Sequence, residues 1–406
     1  MLQDPRQITE LYGVCNNYAI FAIGDEKDRR YGIIDRNGEI VAEPEFIEFS
    51  LQLGRYVQCC CTTGLSHNPS YRLYDMTMDG WVSIDSNKRP MPIPGHTGLF
   101  YTYIQHNRCG IQDYNGNQII PEIYATIFRI GEYFMVQDPK TEKYGILTAE
   151  GKMVIPCILA FDRVSYSAGK VLVRQADKWF YVNNCGAQMF DWHEIVLPDD
   201  VLGVNLYSDR ICYYIPCWKK LRGLDYRACG MLDTSGTELL PPIYFVIHGL
   251  NEKYFSVGDA ETFFCGLTDS DGNTIIPADS GVYVWTPIKE DENMFIFQTE
   301  GSSNLNSGIV RIGPNKEIQE VLPARFVYPH WLPDSEAQGH GCIVLAQSIC
   351  RHQEEILRAG VFSLTGEQLV PFEYDDILLG NDPERIAVCK GGEWFFINLK
   401  NKRTLF

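Results

Sequence analysis

Few residues in this chain have both the type and the spacing to do chemistry. Asp269-Ser270-Asp271-Gly272-Asn273 offers oxygen ligands like those of a calcium loop. An EF-hand loop needs Gly at its sixth place and Glu at its twelfth. Here Gly is fourth and the twelfth residue is Ser280, so the stretch reads as a hairpin turn. Cys59-Cys60-Cys61 offers thiols, but successive side chains of a strand alternate between faces, which leaves two ligands at most. Cys212 and Cys217 are the nearest approach to a paired motif, and no second pair follows at zinc-ribbon spacing. The eight histidines, at 67, 96, 106, 193, 248, 330, 340 and 352, form neither HxxxH nor HExxH. His340-Gly341-Cys342 sets a base beside a thiol in sequence, whereas a nucleophile and its base are defined by their places in space. With no nucleophile elbow and no phosphate loop, the expectation is no metal, no cofactor and no catalytic residue. An enzyme with a site at a ring centre or between two repeat lobes, where residues of different repeats converge, is the alternative left open.

Recognition suits the residues better. Trp218-Lys219-Lys220-Leu221-Arg222 and Tyr328-Pro329-His330-Trp331-Leu332-Pro333 set aromatic and basic side chains together in an acidic protein. Large aromatics and basic groups are what bind acidic or amphipathic partners. Trp218, Lys219, Lys220, Arg222, His330 and Trp331 are therefore the candidate binding residues. The bland reading is that these aromatics pin long loops to the body.

The elements that would position them come from a repeat. Gly32, Gly110, Gly145, Gly230, Gly266 and Gly360 are each followed six residues later by a second glycine: Gly38, Gly116, Gly151, Gly236, Gly272 and Gly366. Pro121, Pro156, Pro241, Pro277 and Pro371 stand eleven places after the anchor, and Pro44 comes one residue late. Weaker copies start at Arg72, Phe180, Gly308 and Phe395, giving about ten units at a spacing that signals a stacked or ringed array. Asp35, Asp113, Asp233 and Asp269, with Thr148, Asn183 and Ser363, open a four-residue turn closed by the second glycine. A side-chain oxygen first and Gly fourth is a type I turn, with a left-handed Gly forming a bulge. The Pro is expected to end the strand that follows, because it has no N–H to pair. One unit is expected to hold four short strands, the fourth lying around the Tyr, Asp or Phe beyond the Pro. Residues 1–10 read as a polar lead-in.

These units resemble the bacterial WG-repeat family: aromatic-Gly, an apolar pair, Asp, two residues, Gly, an apolar run, Pro, then Tyr-Asp. Tyr31-Gly32-Ile33-Ile34-Asp35 with Gly38 fits, as do Gly360, Gly366, Pro371 and Tyr374-Asp375. The Trp-Gly pair itself never occurs; Tyr31, Cys109, Tyr144, Cys229 and Cys265 precede the anchors, while Trp179 and Trp394 precede Phe. The resemblance implies an all-β repeat protein used for interaction, with no catalytic residues to carry over.

Composition agrees. Aromatics at 13%, with 35 Gly and 21 Pro, suit many short strands joined by tight turns. A formal charge of −17 repels phosphate backbones and anionic membranes, so neither nucleic acid nor membrane is an expected partner. No apolar run is long enough to span a bilayer, and MLQDPRQITE lacks the features of a signal peptide, which points to the cytoplasm. There the fourteen cysteines stay reduced, and Cys109, Cys229 and Cys265, at the aromatic place of the repeat, are expected to be buried packing residues.

The expected fold is all-β: about ten repeats of antiparallel strands in a propeller-like ring or rings, with an open β-solenoid as the alternative. Spacing divides the chain into residues 1–189 (five repeats), 190–227 (an insertion or linker) and 228–406 (five repeats, with an insertion at 327–358). The end of the chain looks like the missing half of the unit with which it starts, so the last strands are expected to pair with the first. The expected function is a non-catalytic scaffold that binds another macromolecule, a protein first, through the insertion loops. A glycan or cell-wall binding module is the rival.

Overall fold

The computed structural model describes residues 8–399, apart from 16–17, 26, 36–37, 54, 62–69, 94–97, 105–107, 168–169, 185–189, 199, 222–223, 302–304, 329–337, 340, 352–353 and 380–385. Every helical or strand element among them is a β-strand. The strands form ten antiparallel sheets, each a meander in chain order, nine with four strands and the last with three. The first sheet holds β1 (Ile8–Cys15), β2 (Tyr18–Ile23), β3 (Arg30–Asp35) and β4 (Ile40–Phe46).

Hydrophobic clusters fill the junctions between successive sheets all the way round. At the seam, Leu11, Ala19, Phe21 and Ile34 of the first sheet meet Leu378, Ala387 and Phe396 of the tenth. The molecule is therefore a ten-bladed β-propeller. It is neither an open array nor two five-bladed rings, because Leu172 and Trp179 of blade 5 pack on Leu206 and Tyr213 of blade 6 like any other pair.

Each inner strand is covered on both faces, which explains why it reads as a continuous apolar run rather than an alternation. In β14 (Tyr133–Gln137), Phe134 and Val136 pack toward blade 3 while Met135 packs toward blade 5.

Four expectations need correction. Residues 8–10 are not a lead-in but open β1, whose Leu11 is buried in the seam. The termini do not share a blade: β1 pairs with β2, and the tenth sheet, ending in β39 (Glu393–Ile397), pairs with no strand of the first among the described residues. Apolar packing between faces closes the ring instead. The segment beyond the Pro strand, such as β17 (Arg163–Ser167), is the first strand of the next blade rather than the fourth of its own. Finally, the Pro usually lies within its strand, as Pro121 does in β12 (Gln118–Tyr124); only Pro277 follows a strand end, that of β28 (Thr274–Ile276).

The outer strand absorbs the Pro in a bulge. Cys109 pairs with Tyr124 and Ile111 with Ile120, so two steps along β11 (Arg108–Asp113) face four along β12. The same offset recurs in blades 1, 4, 6, 8 and 9. The two extra residues fold back over the anchor glycine. A Cβ on Gly110 would sit 2.5 Å from the Ile120 carbonyl oxygen, and one on Gly32 2.6 Å from that of Ala42. The turn before the bulge forms as its sequence dictates. Gly116 donates its N–H to the Asp113 carbonyl at 3.1 Å with φ +83°, and the Asp113 carboxylate accepts from the N–H groups of Asn115 and Asn117.

Candidate binding face

In a four-strand meander the second-to-third connection and the link to the next blade leave the same end of the sheet. All such connections therefore emerge on one face of the ring, here termed the hairpin face. The Gly-closed turns lie on the other, the turn face. Two hairpins outgrow the rest: β22 (Arg210–Leu221) with β23 (Leu224–Asp233) in blade 6, and β34 (Cys342–Arg351) with β35 (Glu354–Ser363) in blade 9. The corresponding strands of blade 4, β14 and β15 (Tyr144–Thr148), have five residues each.

Trp218, Lys219 and Lys220 lie near the end of β22, where Lys220 pairs with Asp225 after an irregular register. Arg222, His330 and Trp331 lie outside the described residues. Residues 190–227, read from sequence as an insertion, hold β20 (Phe190–Ile195), β21 (Gly203–Tyr207), all of β22 and the start of β23, so the excess length forms blade edges and a long hairpin.

Sequence reasoning missed a groove of about 250 Å³ on the hairpin face between blades 3, 4 and 5. It is lined by Tyr103, Cys109, Phe128, Tyr144, Val164 and Tyr166. Tyr103 ends near the tip of β10 (Leu99–Ile104) and Phe128 lies on β13 (Thr126–Ile130). Tyr166 is 59% exposed, and its ring stacks on Phe128 at 4.6 Å and 7°. Tyr103 is 36% exposed. The available signal was Ser165-Tyr166-Ser167, an aromatic between two small polar residues on a strand.

A polar cleft of about 450 Å³ lies on the turn face between blades 7 and 8. Its charges are already matched: Lys316 Nζ is 2.5 Å from Asp269, Lys253 pairs with Glu292, and the Tyr254 hydroxyl donates to Asn293 at 3.0 Å. It joins two blades rather than presenting a free charge. Asp269 itself accepts the N–H groups of Asp271 and Asn273, as the hairpin-turn reading requires.

Of the three thiols expected to be buried at the aromatic place of the repeat, Cys265 is only half-buried. Cys109 and Cys229 are buried at the aromatic place, and each donates its S–H to a backbone carbonyl, of Tyr124 at 3.5 Å and of Phe245 at 3.4 Å. Burial pushes both thiols up to about 11, far from the thiolate that reactivity needs. Cys59 and Cys212 are raised further by the same cause. Cys342 is buried, whereas His340 lies outside the described residues. Among the described residues no three His, Cys, Asp or Glu side chains cluster as metal ligands would. No helix among them is long and apolar enough to cross a membrane.

A family model described as the WG containing repeat matches residues 31–48. The chain carries a WG repeat. In structural terms the matched WG unit is β3, its Gly-closed turn, the bulged β4 and the first residue of β5 (Glu48–Gln52). It is thus one outer hairpin and the passage to the next blade, not a whole blade. No curated protein matches the chain. Among solved structures it is similar to a eukaryotic initiation factor, with 12% identity, TM-score 0.43, and 90% of this chain and 87% of that one covered. It is also similar to the computationally designed Ika8 protein (11%, 0.32, 72% and 93%) and to Pyrococcus horikoshii acylaminoacyl peptidase (7%, 0.36, 96% and 57%).

Proposed function

We propose that this propeller is a non-catalytic scaffold that binds a partner protein across its hairpin face. The observation that carries this reading is that the two longest hairpins, β22–β23 and β34–β35, and the aromatic groove all belong to that one face. A rigid ring holds such projections in fixed relation at little entropic cost on binding. Residues 217–227 contain Lys219, Lys220, Arg222 and Arg227 against a single carboxylate, Asp225, within a chain of net charge −17. That local reversal of sign steers an acidic or amphipathic protein toward the hairpin.

The test is recovery of partners from native-host lysate with wild-type protein and with Trp218→Ala/Trp331→Ala, after circular dichroism has shown both to be folded. Loss of a reproducible protein partner from the variant supports the reading. Recovery unchanged in the variant, or recovery of glycan alone, overturns it.

A further inference from the structure

We propose that the outer edge of blade 5 takes up an extended, basic segment of a partner protein as a fifth antiparallel strand along β20. This edge lies on the circumference of the ring, apart from the hairpin face, and its occupancy does not depend on what that face binds. An outer strand presents a row of unpaired N–H and C=O groups, and proteins blunt such edges with proline, bulges or short strands. Eight of the nine four-stranded blades do so here: six carry the bulge and its Pro, and blades 2 and 7 end in strands of two and three residues, β8 (Gly80–Trp81) and β28. Blade 5 does not. Its β20 has six residues, no Pro and an uninterrupted register from Ile195 opposite Trp179 to Phe190 opposite Asn184, and no strand lies beyond it among the described residues.

The direction of the free groups follows from the ladder. Ala176 and Asp177, with φ of +49° and +66°, join β18 (Lys170–Gln175) to β19 (Lys178–Asn184) in a two-residue turn. Such a turn makes its flanking residues, Gln175 and Lys178, a hydrogen-bonded pair. Alternation then turns Trp179, Tyr181 and Asn183 toward β20, where they bond Ile195, His193 and Asp191. The Arg174 carbonyl obeys the same phase, accepting the Asp162 N–H on the inner side at 2.8 Å. Trp192 and Glu194 are left with N–H and C=O directed outward, which an extended backbone pairs. Side chains set the sequence it prefers. Trp192 is half-buried with its ring 5.6 Å from that of Phe161, an apolar shelf at the open rim of blades 4 and 5. At Ile195 the strand meets a cleft of about 370 Å³ lined by Trp179, Leu197, Pro198, Val201 and Val196, the last 79% exposed. Residues 190–201 hold four carboxylates and neither Lys nor Arg, and Glu194 meets a cation only from the neighbouring strand, Lys178 at 3.0 Å. In antiparallel register an apolar residue opposite Ile195 fills the cleft, Lys or Arg faces Glu194, and an aromatic or β-branched residue covers Trp192. A second copy fits worse, because it would set these carboxylates against themselves in a chain of charge −17.

The probe is a phage-displayed random dodecapeptide library panned on the full chain, with the enriched peptides synthesised and measured by fluorescence anisotropy. Enriched sequences are expected to run apolar residue, Lys or Arg, any residue, then an aromatic or β-branched one, with no Pro inside the run. They should bind more weakly as salt rises and slow hydrogen exchange in residues 190–195. Glu194→Pro removes one outward N–H and no ladder bond; once circular dichroism has shown it to be folded, it should weaken binding about tenfold or more, against about threefold for Glu194→Gln. N-methylation of the peptide at the residues opposite Trp192 and Glu194 should abolish binding, and at those opposite His193 and Ile195 should leave it intact. Trp218→Ala, in the blade 6 hairpin, should leave it unchanged. No enrichment, enrichment of acidic peptides, wild-type affinity in Glu194→Pro, or equal loss for the two N-methylated peptides overturns strand addition. A dimer in sedimentation that Glu194→Pro abolishes overturns the partner and assigns the edge to a second copy.

Discussion

Seven blades carry a bulged outer strand or its remnant and an anchor glycine; among the described residues three carry neither. Gly32, Gly110, Gly145, Gly266, Gly308 and Gly360 each face a backbone carbonyl of the outer strand at less than 3 Å from where a Cβ would stand, and Gly230 faces the Tyr213 ring just as closely. In blades 2, 5 and 10 the anchor place holds Arg72, Phe180 and Phe395. Blade 2 ends in the two-residue β8 (Gly80–Trp81), blade 5 in the regular ladder of β20, and blade 10 has three strands among the described residues. Where no bulge folds over the third strand, the site has room for a side chain. Blade 2 uses it: the Arg72 guanidinium lies 3.7 Å from the Trp81 ring centroid and 2.8 Å from Glu45 of blade 1. At six of the seven anchors the bulge carbonyl thus leaves no room for a Cβ, and at Gly230 the Tyr213 ring does.

The largest effect should come from forcing a side chain under a bulge. In Gly110→Ala the new Cβ meets the Ile120 carbonyl oxygen, the Pro121 carbonyl carbon and the Glu122 nitrogen, all backbone atoms that cannot rotate away. A loss of about 3 kcal/mol or more in urea unfolding is expected. The reverse change, Arg72→Gly, removes only a half-exposed cation–π contact and ion pair, with a cost near 1 kcal/mol. Similar costs for the two would break the comparison.

A second contrast lies within the turns. Gly151 and Gly236 have φ of +80° and +87°, so Ala strains either by about 1 kcal/mol. From sequence they are equivalent. In the ring they are not, because a Cβ on Gly151 would collide with the Ile119 carbonyl oxygen of the preceding blade, whereas around Gly236 nothing lies nearer than 3.8 Å. Gly151→Ala should cost about 2 kcal/mol and Gly236→Ala about 1, compared by thermal and urea unfolding. Equal losses would show that the turn of blade 4 does not act as an inter-blade joint.

Acid should act on turns held by a carboxylate, both the Gly-closed turn of Asp113 before a bulge and the β14–β15 connection that Asp138 opens. The Asn117 side-chain amide, then backbone N–H groups, hold the Asp113 carboxyl below its usual value; the N–H groups of Thr141 and Lys140 do the same for Asp138. A pKa lowered by folding means stability that is present above the unfolded value, near 4, and lost as pH falls through the folded one. NMR titration of Asp113 should give a value below 3.8, and Asp113→Asn should reduce the fall in urea midpoint between pH 5 and pH 2. A titration at or above the ordinary value would remove the turn from the account.

What sequence made legible was local. Asp and Gly at fixed offsets specify a turn through their own side chain and backbone, so Asp113 to Gly116 could be read without the rest of the chain. Repeat spacing gave ten units for the same reason. What stayed hidden depends on contacts between blades. Ile8 looks like part of a polar lead-in until the seam between the first and tenth blades packs against it, and Tyr103, Phe128 and Tyr166 become a groove only when three blades stand side by side. The candidate hairpin was visible as excess length around Trp218, but its shape, a prolonged ladder rather than a loose insertion, was not.

The smallest expected effect separates the two conserved-looking punctuation marks of the unit, glycine and proline. If Pro created the bulge, removing it would flatten the outer strand and cost as much as crowding the glycine. Blade 1 argues otherwise. There the carbonyl that presses on Gly32 belongs to Ala42, the next residue is Glu43, and Pro44 comes one place late, yet Tyr31 still pairs with Phe46 and Ile33 with Ala42. The bulge therefore survives without Pro at its apex. Its cause is the count of residues between the turn and the next blade, while Pro restrains the unfolded chain and withholds an N–H from the open outer edge. Pro156→Ala should then cost only about 0.5–1 kcal/mol, the scale of an unfolded-state entropy change, and Gly145→Ala several times more. A Pro156→Ala loss matching that of Gly145→Ala would return the cause of the bulge to the proline ring.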